Sequence, residues 1–103
     1  MSDESERARN SPLTYKVVYY VNERGDNPVE DFVRDLDPVT RTRFFAHVDM
    51  LRAEGPNLKR PYADTVRGKI RELRPRQARV LYFFVVGEKI VLLHGFLKKS
   101  WEI

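Results

Sequence analysis

A chain of 103 residues without cysteine has no disulfide framework and no thiolate metal site, and its length suits one domain rather than two. A hydrophobic fraction of 42%, with six Phe, five Tyr and one Trp, is enough for a packed interior. The net charge of +4 is unevenly placed: residues 23–54 carry eight acidic and five basic side chains, whereas residues 57–79 carry eight basic and two acidic. Such a division fits either a face that attracts a polyanion or an ordinary solvated basic surface.

Residues 1–12 are polar, of mixed charge and lack the apolar stretch of a signal peptide. They are expected to form a disordered tail ahead of a single domain over residues 13–103. The longest apolar run, residues 80–86, is strand-sized and far short of a membrane span, so the chain reads as soluble and cytoplasmic, with no membrane partner.

Residues 15–21, Tyr-Lys-Val-Val-Tyr-Tyr-Val, are β-branched and aromatic and predict a first strand, broken by residues 22–26. Asn27-Pro28 then supplies a cap and a first-turn proline, with Glu30 at the capping-box position. That helix is expected to end near Asp37, because Pro38 disfavours helical backbone in the residue before it. Asp37-Pro38 repeats the start signal for a longer helix whose Phe44, Phe45, Val48 and Leu51 share one apolar face, stopped by Gly55-Pro56. The pair reads as a helical hairpin.

Residues 57–68 read as a basic loop. Three strands follow over residues 69–74, 78–86 and 89–97, and the short separators Pro75-Arg76-Gln77 and Gly87-Glu88 suit antiparallel hairpins. Val80, Tyr82, Phe84 and Val86 alternate with Arg79, Leu81, Phe83 and Val85, so both faces of the middle strand are largely apolar. It is expected to be central and covered on both sides for most of its length. The fold class is α+β, in the order β-α-α-β-β-β, with a twisted, mainly antiparallel sheet and the helical hairpin on one face.

The five glycines are scattered and form no phosphate loop, and His47 and His94 have no ligand or catalytic spacing to a partner, so neither metal nor cofactor is expected. His47 reads as packed or on the helix surface. His94 reads as structural, with proton donor or acceptor as the alternative. What remains is a concentration of Lys and Arg on and beside the last three strands. Arg71 and Leu73 alternate with Glu72 and Arg74, Arg79 opens the next strand, and Lys98 and Lys99 close the last. Side chains of this kind can hold a phosphodiester and offset its developing charge. A base for a ribose 2′-hydroxyl would still be needed, and no residue stands out as one.

The segments Gly68-Lys-Ile-Arg-Glu-Leu-Arg74, Ala78-Arg-Val-Leu-Tyr-Phe83 and Lys89-Ile-Val-Leu-Leu-His-Gly-Phe-Leu-Lys-Lys99 resemble the C-terminal half of the phage-derived Gp49-like/HigB group of the RelE/ParE toxin superfamily. The resemblance covers about residues 15–100. It implies a metal-independent, ribosome-dependent mRNA endoribonuclease, the toxin of a type II toxin–antitoxin pair. Its partners would be mRNA on the ribosome and an antitoxin with a helix-turn-helix domain, through which alone operator DNA is reached. It carries catalytic weight to Arg71, Arg74, Arg79, Lys98 and Lys99, with RNA contacts expected from Lys59, Arg60, Arg67, Lys69 and Arg76.

This sequence departs from the pattern of its relatives in two respects, although glutamate at position 72 fits the Gp49-like group itself. Glu72 stands where some RelE-type relatives carry lysine, and Ser100-Trp-Glu-Ile103 stands where the group continues into a Thr/Pro-rich turn and a helix. Two other readings stay open. One is a catalytically silent relative that only occupies antitoxin or RNA, and the other is a ParE-like gyrase inhibitor, against which the basic segment 57–79 argues.

Overall fold

Asn27 and Asp37 both cap as their sequence context predicts. Asn27 Oδ1 accepts from the Glu30 amide at 3.0 Å and Asp37 Oδ2 from the Thr40 amide at 3.1 Å. The computed structural model describes residues 14–99, so the tail expected over residues 1–12 lies outside the described residues. The first helix, α1 (Pro28–Arg34), is shorter than expected. Arg41, on the second helix α2 (Pro38–Glu54), explains where it stops. The Arg41 guanidinium donates to the carbonyls of Val33, Arg34 and Leu36 at 3.3, 3.1 and 2.7 Å, satisfying the groups a helix end leaves open.

The buried stripe of α2 is Thr40, Phe44, His47, Val48 and Leu51. Phe45 is not part of it: a helical step of about 100° turns it off the stripe, and it is 49% exposed, edge-on to Phe44. Gly55, with φ +56°, ends the helix, and the Tyr15 ring occupies the space a Cβ there would need. Tyr15 and Arg52 are also joined, amide to carbonyl at 3.0 Å and Arg52 Nε to the Tyr15 carbonyl at 3.3 Å, which fastens the start of the sheet to the end of α2.

The sheet has five strands: β1 (Lys16–Tyr19), β2 (Ala63–Arg67), β3 (Ile70–Leu73), β4 (Ala78–Val85) and β5 (Lys89–Leu97), in the spatial order β1-β5-β4-β3-β2. β1 pairs with β5 in parallel and every other pairing is antiparallel, while the helical hairpin carries the chain from β1 at one edge of the sheet to β2 at the other. β2 is an addition to the expected order, lying inside the segment read as loop. It pairs with β3 over Ala63↔Leu73, Asp64↔Glu72 and Thr65↔Arg71 before its register shifts.

The helices cover one face. Beneath them lie Leu73 of β3, Val80 and Tyr82 of β4, and Ile90 and Leu92 of β5, all fully buried. The expectation that β4 is covered on both sides fails, since only two α-helices are present among the described residues and both sit on the same layer. β4 is central, but Leu81 and Phe83 on its other face are half-buried and Val85 is exposed. A bulge interrupts β5. Tyr82 pairs with Leu92 but Leu81 with His94, so Leu93 is an extra residue and the alternation of β5 changes sense across it. Ile90 and Leu92 face the helices before it, and Gly95 does so after it, where the Phe32 ring of α1 lies where a Cβ would stand.

Candidate active site on the uncovered sheet face

Cross-strand partners in an antiparallel pair point to the same face, so the register fixes which side chains share the open side of the sheet. Asp64, Glu72, Leu81 and His94 form one row across β2, β3, β4 and β5. Arg79 and Phe96 form the next, towards the end at which β4 begins.

Four of the five expected catalytic residues lie at that end of the sheet: Arg74 and Arg79 meet there at Glu72, and the backbone after β5 brings Lys98 and Lys99 to the same end. Arg74 follows the last residue of β3, and its Nη1 donates to Glu72 Oε2 at 2.8 Å. Arg79 is only 7% exposed; its Nη1 donates to the carbonyls of Arg76 and Ala78 at 2.8 Å each, and its Nε stands 3.9 Å from the same Glu72 oxygen. Lys98 is brought alongside by its amide bond to the Gln77 carbonyl at 2.8 Å, and Lys99 follows it. Burial, then the neighbouring Arg74 charge, lowers the Arg79 guanidinium below its usual pKa, while Glu72 acts in the opposite direction. Glu72 is therefore a carboxylate set between two arginines.

Arg71 is not part of this group. It alternates with Glu72 and so stands on the helix-facing side. There its Nη2 donates to the Leu58 carbonyl at 2.6 Å, its Nε to Tyr82 Oη at 3.1 Å and its Nη1 to Thr65 Oγ1 at 3.2 Å. These bonds tie β2, β3, β4 and the loop after α2 into one unit.

The expected RNA-binding residues divide as well. Arg60 joins the open face through Asp64, Nε to Oδ2 at 2.8 Å, and that hydrogen bond is the main cause of the lowered Asp64 pKa. Lys59 is exposed in the same loop. Arg76 occupies the β3–β4 turn with φ +58° and reaches back to Asp37 of the helical layer at 3.8 Å. Arg67 and Lys69 flank the β2–β3 turn at the opposite end of β3, roughly 17 Å of strand from Arg74.

Two residues beside Arg79 on this face are not among the expected site residues. Glu72 sits between Arg74 and Arg79, and Phe96 lies directly across from Arg79. The strict alternation of β3 carries the signal for Glu72, whereas Phe96 depends on the bulge, which leaves no mark in the sequence pattern. A cavity of about 670 Å³ lies on the other layer, between α1, α2 and Tyr19. One of its linings, Arg41, is spent on helix carbonyls, and it holds none of the converging cations. Among the described residues no group of three or more His, Asp or Glu could hold a metal ion, and no helix is long and apolar enough to cross a membrane.

The profile of one protein family, described as phage derived protein Gp49-like, matches residues 31–102. A search of curated proteins finds no match. Among solved structures, the archaeal RelE–RelB complex from Pyrococcus horikoshii OT3 contains a chain that superposes with a TM-score of 0.64 at 18% identity, covering 84% of this chain and 98% of that one. At that identity the likeness speaks for a shared fold.

Proposed function

Because the chain belongs to the phage-derived Gp49-like family and has the fold of RelE, we propose that it is the toxin of a toxin–antitoxin pair, a cytoplasmic endoribonuclease that cleaves mRNA on the ribosome. What carries the reading is the meeting of Arg74 and Arg79 at Glu72 on a sheet face that the helices leave bare, at the end of the sheet where the chain delivers Lys98 and Lys99.

In this reading Arg79 and Arg74, with Lys98 and Lys99, hold the scissile phosphate and offset the charge that grows on it in the transition state. Glu72 takes the proton from the 2′-hydroxyl. The 2′-oxygen attacks phosphorus, the P–O5′ bond breaks, and His94 gives a proton to the departing 5′-oxygen, leaving a 2′,3′-cyclic phosphate and a 5′-hydroxyl. Glu72 and His94 flank β4 from opposite sides in one row. That is the disposition an in-line displacement asks of its base and acid. The partner is an antitoxin with a helix-turn-helix domain and an acidic segment complementary to the basic end, because charge complementarity speeds and orients association.

Induced expression should arrest translation and create new message 5′ ends. The double variant Arg79→Ala/Lys99→Ala, at matched protein level, should restore both growth and intact message. New 5′ ends that persist in the double variant would sink the assignment, and arrest with intact message would sink the nuclease reading.

A further inference from the structure

The ring of Phe96 has no part in the core. It stands on the uncovered face, directly paired with Arg79, and is 41% exposed although its partner is almost fully buried. The strand order explains the exposure. β1 pairs with β5 only as far as Leu92, so beyond the bulge β5 has a strand neighbour on one side alone. A large planar apolar surface is thus held open on the residue directly across from Arg79, the two Cβ atoms about 5 Å apart, while two carbonyls fix the Arg79 guanidinium. Phosphate and base are joined by one sugar within a nucleotide, so a phosphate at Arg79 puts an attached base within reach of that ring. In duplex RNA the bases are stacked inside and unavailable, whereas single strands offer a splayed base to an aromatic side chain.

We propose that Phe96 is a stacking platform for an unpaired nucleobase next to the phosphate bound at Arg79, which makes single-stranded RNA the substrate class of this face and Phe96 its positioning residue. The proposal rests on the reading of this face as an RNA site but not on cleavage. An acidic protein segment laid over the same ring is the competing occupant. It is less favoured because the apolar surface beside Arg79 is one flat ring, with half-buried Leu81 behind it rather than a continuous exposed stripe.

The test is binding of a short fluorescent single-stranded RNA, blocked against cleavage by 2′-deoxy substitution, to the full-length protein at low salt. Phe96→Leu keeps an apolar side chain of similar bulk but no ring, and Phe96→Trp keeps an aromatic ring system. Stacking is worth about 1–3 kcal/mol per base, so Phe96→Leu should weaken binding roughly 5- to 150-fold and Phe96→Trp should preserve it. Replacing one nucleotide at a time by an abasic site should find one position at which wild type and Phe96→Leu bind equally. Equal affinity of wild type and Phe96→Leu for the intact RNA overturns the proposal. So does a wild type that binds intact RNA no better than RNA carrying that abasic site, or a Phe96→Leu defect seen only with the antitoxin. If blocked RNA binds as expected while message on translating ribosomes is left whole, the nuclease reading fails and the platform stands.

Discussion

Glu72 and Arg79 meet across β3 and β4 with Oε2 and Nε 3.9 Å apart, so the most deeply set cation of the sheet has a carboxylate beside it. Glu72→Gln keeps the shape and removes the proton acceptor. Cleavage should fall by roughly 10²- to 10⁴-fold, the usual contribution of a positioned acid or base. Affinity for cleavage-blocked RNA should hold or rise, because a negative charge has left the phosphate site. Single-turnover cleavage alongside equilibrium binding separates the two effects, and a variant that cleaves at the wild-type rate removes Glu72 from the chemistry.

His94→Asn tests the other side of β4. The loss in rate should be of the same order, roughly 10²-fold or more. It should largely disappear on RNA carrying a bridging 5′-sulfur at the cleaved bond, since a thiolate leaves without being protonated. An equal defect on both substrates would mean that His94 acts otherwise.

Arg71 should behave as part of the scaffold. Its three side-chain bonds, to Leu58, Thr65 and Tyr82, are lost in Arg71→Met, which should cost about 1–3 kcal/mol in urea unfolding because part-buried acceptors are left unpaired. RNA affinity of the folded protein should stay close to that of wild type. A variant of wild-type stability that no longer binds RNA would place Arg71 in the site instead.

His47 makes the fold sensitive to acid. Burial, and secondarily Arg43, lowers its pKa below the ordinary histidine value, and its Nδ1 is buried without a hydrogen-bond partner. The unfolded chain therefore binds the proton more readily than the folded one. The stability contribution is fully present above about pH 6.5 and is lost as pH falls through the lowered folded value. His47→Leu removes both the titration and the unpaired nitrogen. It should gain about 1 kcal/mol at pH 7.5 and lead wild type by more at pH 5. Urea midpoints of the two proteins across pH 5–8 measure this, and parallel curves would exonerate His47.

The elements most legible in the sequence are those set by local rules. Asn27-Pro28 and Asp37-Pro38 cap both helices as their residue types require, and β4 and β5 show their boundaries in apolar runs between turns. β2 is illegible because Ala63–Arg67 contains Asp64 and Arg67 and is a strand only through its pairing with β3. The end of α1 is hidden for a similar reason, since the group that closes it, Arg41, lies on the next helix. Within the site, the basic residues are visible as a set but not as a division. Arg71 and Arg74 are three apart, and an odd separation in a strand sends them to opposite faces.

The single inserted residue in β5 has an effect out of proportion to its size. Counting by twos from Ile90 would send His94 and Phe96 into the interior and turn Gly95 outward, yet the strand resets its phase at Leu93. One strand thus serves two masters: its first half is tuned to the core and its second half presents His94 and Phe96 to the outside, with a glycine where the ring of Phe32 needs room. Deleting Leu93 would remove the bulge and join Leu92 directly to His94, an unbroken alternation that keeps Gly95 inward and Phe96 outward. In this strand the single bulged residue, not the count by twos along the sequence, decides which side chains meet the helices and which meet solvent.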